Sequence, residues 1–141
     1  MFRFSMVMLA ALFASVCNAQ GNSQAATPPA AGGAPLYTVV DGNKVDNNTL
    51  QGWKTWRAMA CERCHGAQQE GLVGPSLIQT FKTISKDDFH KLMQEGRPEK
   101  GMPNFGGSEM MRNNWQNLYA YLKGRSDGKI KPGHLYPADG K

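Results

Sequence analysis

Strand-like alternation of apolar and polar residues is almost absent from this 141-residue chain. That speaks against sandwiches, barrels and the βαβ layer of a thioredoxin-like protein. Dense basic runs are missing too. Beyond residue 40, lysine and arginine are spread from Lys44 to Lys141 without interleaved aromatics, so a formal net charge of +5 makes no nucleic-acid patch, and no nucleic-acid partner is expected. The longest apolar stretch, Met6 to Val16, falls short of the ~20 residues that a membrane span needs. No stable membrane insertion is expected. Cysteine is scarce, with three residues at 17, 61 and 64, too few for a disulfide framework.

Residues 1–19 read as a secretory signal peptide. Arg3 gives a positive start, Met6 to Val16 the apolar region and Ala19 a small residue at the cleavage point. Cleavage after about Ala19 predicts a periplasmic mature chain. It removes Cys17 and Arg3, leaving a charge of +4. An exported protein with one C-x-x-C has three options: disulfide, metal site or haem. Zinc needs four ligands, and His90 and His134 sit in contexts unrelated to Cys61, Cys64 and His65. The full run is Cys61-Glu62-Arg63-Cys64-His65. C-x-x-C-H is the attachment pattern of a c-type haem. Thiols three positions apart on one helical turn add across two vinyl groups, and the following histidine then lies beneath the iron as proximal ligand. One covalent haem c is therefore the expected cofactor, with Cys61 and Cys64 as attachment points and His65 on the metal.

Residues 20–35 are Ala, Pro, Gly, Gln and Ser with almost nothing to bury, which predicts a flexible leader. Tyr37 to Val40 has strand-like composition before an Asp41-Gly42 turn signal, so a short extended arm is expected. A first helix capped by Asn47 or Asn48 runs toward Cys61, with Trp53, Trp56 and Ala60 on one face and Gly52 suited to a close helix crossing. Gly66 to Gly74 is a loop. In Gly74-Pro75-Ser76-Leu77, the carbonyl of Pro75 is the candidate acceptor for the second ring nitrogen of His65. Ser85 caps a second helix that Gly96 stops, with Phe89, Leu92 and Met93 inward and His90 on the surface. Ser108 caps a third helix to about Lys123, with Gly124 just beyond it. Residues 127–141 read as an extended C-terminal tail after a folded domain at 36–126.

Five methionines beyond the signal compete for the far side of the iron, where a thioether raises the potential. Met59 precedes the attachment site on the same helix, and Met93 belongs to an apolar helix face. Met102 lies on a loop between Gly101 and Pro103, which lets its side chain reach across the cofactor while helices hold both ends. Met110 and Met111 are the alternatives.

In order and separation, Cys61 to His65, Gly74 to Leu77, Gly101-Met102-Pro103 and Leu118-Tyr119-Ala120-Tyr121-Leu122 resemble a class I cytochrome c over most of residues 45–125. The resemblance implies an all-α, small helical domain wrapped around one covalent haem. It also implies a crossing of first and last helices, Pro75 holding His65, and Met102 as distal ligand. Gly52 and Trp56 lie one position off the family's usual register relative to Cys61. The arm Tyr37 to Asp46 and the short separation from His65 to Met102 are similar to periplasmic cytochromes of the cL type, which accept electrons from PQQ-dependent alcohol or methanol dehydrogenases. In that group's loop, Arg97 implies a contact to a haem propionate. The expected function is single-electron transfer by a periplasmic monomer. The donor is a PQQ-dependent dehydrogenase, the acceptor a downstream cytochrome or terminal oxidase, and no side chain does catalytic chemistry. A haem protein with an open iron site, acting as a small peroxidase or gas binder, is the alternative, and a haem-free dithiol protein exchanging a Cys61–Cys64 disulfide is a third reading.

Overall fold

Backbone geometry in the computed structural model is described for residues 35–140. The expected signal peptide and nearly all of the leader lie outside the described residues. The arm forms β1 (Val39–Val40), turns through Asp41-Gly42 and returns as β2 (Lys44–Val45), antiparallel to it. Helix α1 (Asn47–Ala58) follows. Its cap is Asp46, one residue before the expected asparagines. Asp46 is extended and takes hydrogen bonds from the Thr49 N–H at 2.9 Å and the Thr49 hydroxyl at 2.7 Å. It also accepts the Thr38 N–H at 2.6 Å, tying the arm to the helix.

Helix α1 does not reach Cys61, contrary to expectation. Met59 caps it, and Ala60 adopts a left-handed conformation with φ of 53°. The chain then restarts as a single turn, α2 (Glu62–His65). A break in handedness costs energy for a residue with a Cβ. Here it separates α1 from the turn that carries the two cysteines, with Met59, Ala60 and Cys61 lying between the two helices. A second short helix, α3 (Leu77–Thr80), was not expected; Ser76 caps it. Helix α4 (Lys86–Glu95) begins at Ser85 and stops at Gly96, as its sequence predicts.

Helix α5 (Glu109–Ser126) starts at the Ser108 cap but passes through Gly124 and ends three residues later than Lys123. Gly124 lies inside the helix because Ile130 packs against it, leaving 2.5 Å between the Ile130 Cδ1 and any added Cβ. Glycine there serves close approach rather than termination. The segment after α5 is closely packed on the helical domain. Ile130 and Leu135 are buried, and β3 (Tyr136–Pro137) pairs parallel with β2. His134 sets its ring edge on Trp53, with centroids 4.6 Å apart.

The layers are thus helical, with a minor sheet of two-residue strands at one side. At the centre α1 crosses α5, where a Cβ on Gly52 would collide with the Asn117 carbonyl oxygen. Trp56, Leu118, Tyr121 and Leu122 are buried. Phe81, Phe89 and Tyr119 form a ring cluster with centroids 5.2 to 5.5 Å apart, joining the segment after α3 to α4 and α5.

Burial pushes the Asp46 carboxyl upward, but the hydrogen bonds from Thr49 and Thr38 outweigh it and leave the group below its usual range. Asp46→Ala is expected to cost about 1 kcal/mol in a denaturant titration at neutral pH. A folded-state value lowered in this way stabilises above the unfolded carboxyl value of about 4, and the gain is lost as pH falls through the folded value. Wild type and variant should therefore converge in strong acid; a constant difference down to that range would contradict the assignment.

Candidate haem site

The left-handed Ala60 frees the Cys61 turn from α1. Within it the Cys64 and His65 N–H groups donate to the Cys61 carbonyl at 3.2 and 3.0 Å. One helical turn therefore places Cys61 and Cys64 on the same side. Cys61 is half-buried, Cys64 is exposed, and both are free thiols. Burial, with the Glu62 charge adding to it, pushes the Cys61 thiol up to about 12. A raised value of this kind makes Cys61 a poor attacking sulfur. Among the described residues no three His, Cys, Asp or Glu side chains converge as a metal cluster.

After the turn, the chain folds back on itself. The Gly71 N–H donates to the His65 carbonyl at 2.8 Å and the Gly74 N–H to the Cys64 carbonyl at 2.7 Å. This return lays Pro75 beside the imidazole: His65 Nδ1 stands 2.9 Å from the Pro75 carbonyl oxygen. A carbonyl only accepts, so Nδ1 carries the proton and Nε2 keeps its lone pair. A buried imidazole with one nitrogen occupied by backbone and the other left as a base has the donor chemistry of a metal ligand. Gly74 lies flat against the same ring, where an added Cβ would sit 2.9 Å from Cε1 and 3.0 Å from Nδ1. Two thiols on one turn and an oriented imidazole directly after them fit a covalent haem.

Arg97 and Met102 come together in a separate tight loop. Their backbones exchange hydrogen bonds at 2.8 and 3.1 Å across the 3₁₀ turn Pro98–Lys100, with Gly101 left-handed. Met102 is half-buried and packs on the hydrophobic core, while the Arg97 residue is exposed. Of the alternatives, Met111 is buried and Met110 is 43% exposed. Met111 lines a cavity with Met93, Phe105 and Trp115 between α4 and α5.

Comparison with known proteins decides the family. The family profile described as cytochrome c oxidase, cbb3-type, subunit III matches residues 47–122. The chain belongs to the class I c-type cytochromes. Cytochrome c-555 of Methylococcus capsulatus is 39% identical over 92 residues, covering 64% of this chain and 73% of the relative. Cytochrome c-553I of Paracoccus denitrificans is 29% identical over 106 residues, covering 70% of this chain and 46% of the relative. The crystal structure of the c-type cytochrome XoxG from Methylobacterium extorquens AM1 superposes with a TM-score of 0.65 at 28% identity, covering 72% of this chain and 65% of that one. This cytochrome thus spans less than two thirds of XoxG and about half of c-553I. The cL-like character read from the arm and the Arg97 loop is in keeping with the fit to XoxG. The cytochrome carries one covalent haem c and serves as an electron carrier. Among the described residues no helix is long and apolar enough to cross a membrane.

Sequence reading missed the buried polar group behind the loop. Gln69 is left-handed with φ of 62° and fully buried, and its side chain meets Tyr121 and Arg125. Burial pushes the Tyr121 hydroxyl up to about 12, with Arg125 opposing. A lone glutamine in a polar loop carries no signal of this kind; an arginine near the end of a helix reads as a capping charge.

Gly74→Ala is expected to tilt the imidazole and lengthen its bond to Pro75. The cost should be about 1–3 kcal/mol in denaturation, with a shifted haem absorption band. Unchanged spectra and stability would show that the ring has room to spare.

Proposed function

We propose that this cytochrome is a periplasmic carrier that takes single electrons from a PQQ-dependent alcohol or methanol dehydrogenase and hands them to a downstream cytochrome or terminal oxidase. The observation that carries the electron-transfer role is the imidazole of His65, oriented by Pro75 beside two free thiols on one helical turn. The donor class rests on the sequence likeness of the arm and of the Arg97–Met102 loop to cytochromes of the cL type. In support, that arm is an ordered, sheet-paired part of the fold.

Bound haem supplies a one-electron iron couple whose chemistry belongs to the cofactor. Cys61 and Cys64 hold it covalently. His65 Nε2 would be the nitrogen ligand to the iron, with Pro75 fixing the tautomer and raising the basicity of the ring. Met102 would supply a thioether ligand to the iron. The reading favours Met102 over its neighbours because Met111 is committed to the core and Met110 sits exposed in the first turn of α5. Arg97 would pair with a haem propionate. None of these side chains acts as acid, base or nucleophile, so the protein is a carrier rather than an enzyme. It works as a monomer whose encounters are brief, as small redox interfaces are. Signal cleavage after about Ala19 puts it in the periplasm.

Two measurements test this. Stopped-flow mixing of the oxidised protein with a PQQ-dependent dehydrogenase and its alcohol should reduce it faster than an unrelated cytochrome c, with a rate that falls as salt rises; equal rates would remove the donor assignment and leave the carrier. Met102→Ala should turn the iron high-spin and lower the midpoint potential. A low-spin spectrum in that variant would move the distal ligand to Met110 or Met111, and an open, high-spin wild type that binds carbon monoxide rapidly would favour the peroxidase or gas-binding alternative.

A further inference from the structure

Arg125 is a buried cation, 7% exposed, on the last turn of α5. Its three hydrogen bonds all end on neutral oxygens: Nε on Gln69 Oε1 at 2.6 Å, one terminal nitrogen on the Ile130 carbonyl at 2.6 Å, the other on the Gln68 carbonyl at 3.0 Å. A guanidinium kept from water on such acceptors is costly, and it holds the geometry of the groups around it because each lost bond leaves one of its donors unsatisfied. Two of the three bonds reach the loop that follows His65. The Gln69 carbonyl in turn accepts from the Leu77 and Ile78 N–H groups at 2.9 and 3.3 Å and from the Ser76 hydroxyl at 3.3 Å. Those residues come directly after Pro75. On its other flank, Pro75 is preceded by Gly74, whose N–H is bonded to the Cys64 carbonyl.

We propose that Arg125, acting through Gln69, is a positioning residue that holds the Pro75 carbonyl on His65 Nδ1 and so helps set the redox potential of the carrier. The proposal rests on the reading of His65 as the proximal ligand. The Gln69 backbone fixes where the chain re-enters after Pro75, and Arg125 fixes Gln69 in its left-handed conformation. With the guanidinium gone, Gln69 keeps its N–H bond to the Gly66 carbonyl and its side-chain bond to Tyr121, but its side-chain oxygen loses its donor and the hold on Pro75 from this side weakens. The imidazole bond loosens, the ring becomes a weaker donor to oxidised iron, and the potential rises.

The test uses the haem-loaded full chain in three forms: wild type, Arg125→Met and Leu135→Ala. Leu135 is buried in the C-terminal segment and serves as a control for general destabilisation. Exchange of the His65 Nδ1 proton is followed by NMR in the reduced state, and the midpoint potential by titration. Arg125→Met should speed exchange by about tenfold, the equivalent of one neutral hydrogen bond, and shift the potential upward. Leu135→Ala should melt earlier while leaving both readouts in place. If Arg125→Met does not accumulate folded, Gln69→Ala takes its place, since Arg125 then retains its bonds to Gln68 and Ile130. A folded variant with wild-type exchange and potential overturns the proposal, as does a control that moves both equally. Absence of an iron-bound His65 signal in the wild type would instead bring down the ligand assignment, and this proposal with it.

Discussion

Two helix backbones touch at the centre of this cytochrome, where Gly52 of α1 meets the Asn117 carbonyl of α5. No side chain intervenes, so the separation of the helices is set by atoms that have no rotamers to adjust. From that fixed point α1 delivers the Cys61 turn at its end, and α5 delivers Tyr119, Tyr121 and Arg125. Tyr119 reaches the Ile84 carbonyl at 3.2 Å. The residues that surround the loop after His65 are therefore referred to a single frame.

Periodicity made the helices legible. The spacing of Phe89, Leu92 and Met93, with Ser85 before and Gly96 after, fixed α4 correctly because an isolated amphipathic helix with both caps contains its own boundary information. It failed where tertiary contact overrode local chemistry. Gly124 reads as a stop signal, yet Ile130 needs the space that a Cβ would occupy, and the helix continues. Ala60 reads as an ordinary helix former, yet it adopts the left-handed conformation that separates α1 from the haem-attachment turn. The attachment motif itself was plain because one rigid macrocycle demands a fixed spacing. The Gln69–Arg125–Tyr121 group was not, since its members are 52 and 56 residues apart and no spacing rule links them.

The same buried group changes how the loop should be viewed. A segment rich in glycine and polar residues has the composition of mobile chain. Here its backbone is tied to the Cys61 turn on one side and to α5 on the other. A carrier whose charge changes by one electron performs best when its ligands keep their places in both states. Tying a composition-poor loop to a rigid helix through a buried cation is one way of meeting that demand.

Among the described residues there are three strands, of two residues each. A sheet this short leaves no extended row of free backbone donors and acceptors at its margins, and so gives a neighbouring molecule no template on which to add a strand of its own. Among the described residues, the sheet therefore leaves recognition to contacts between side chains.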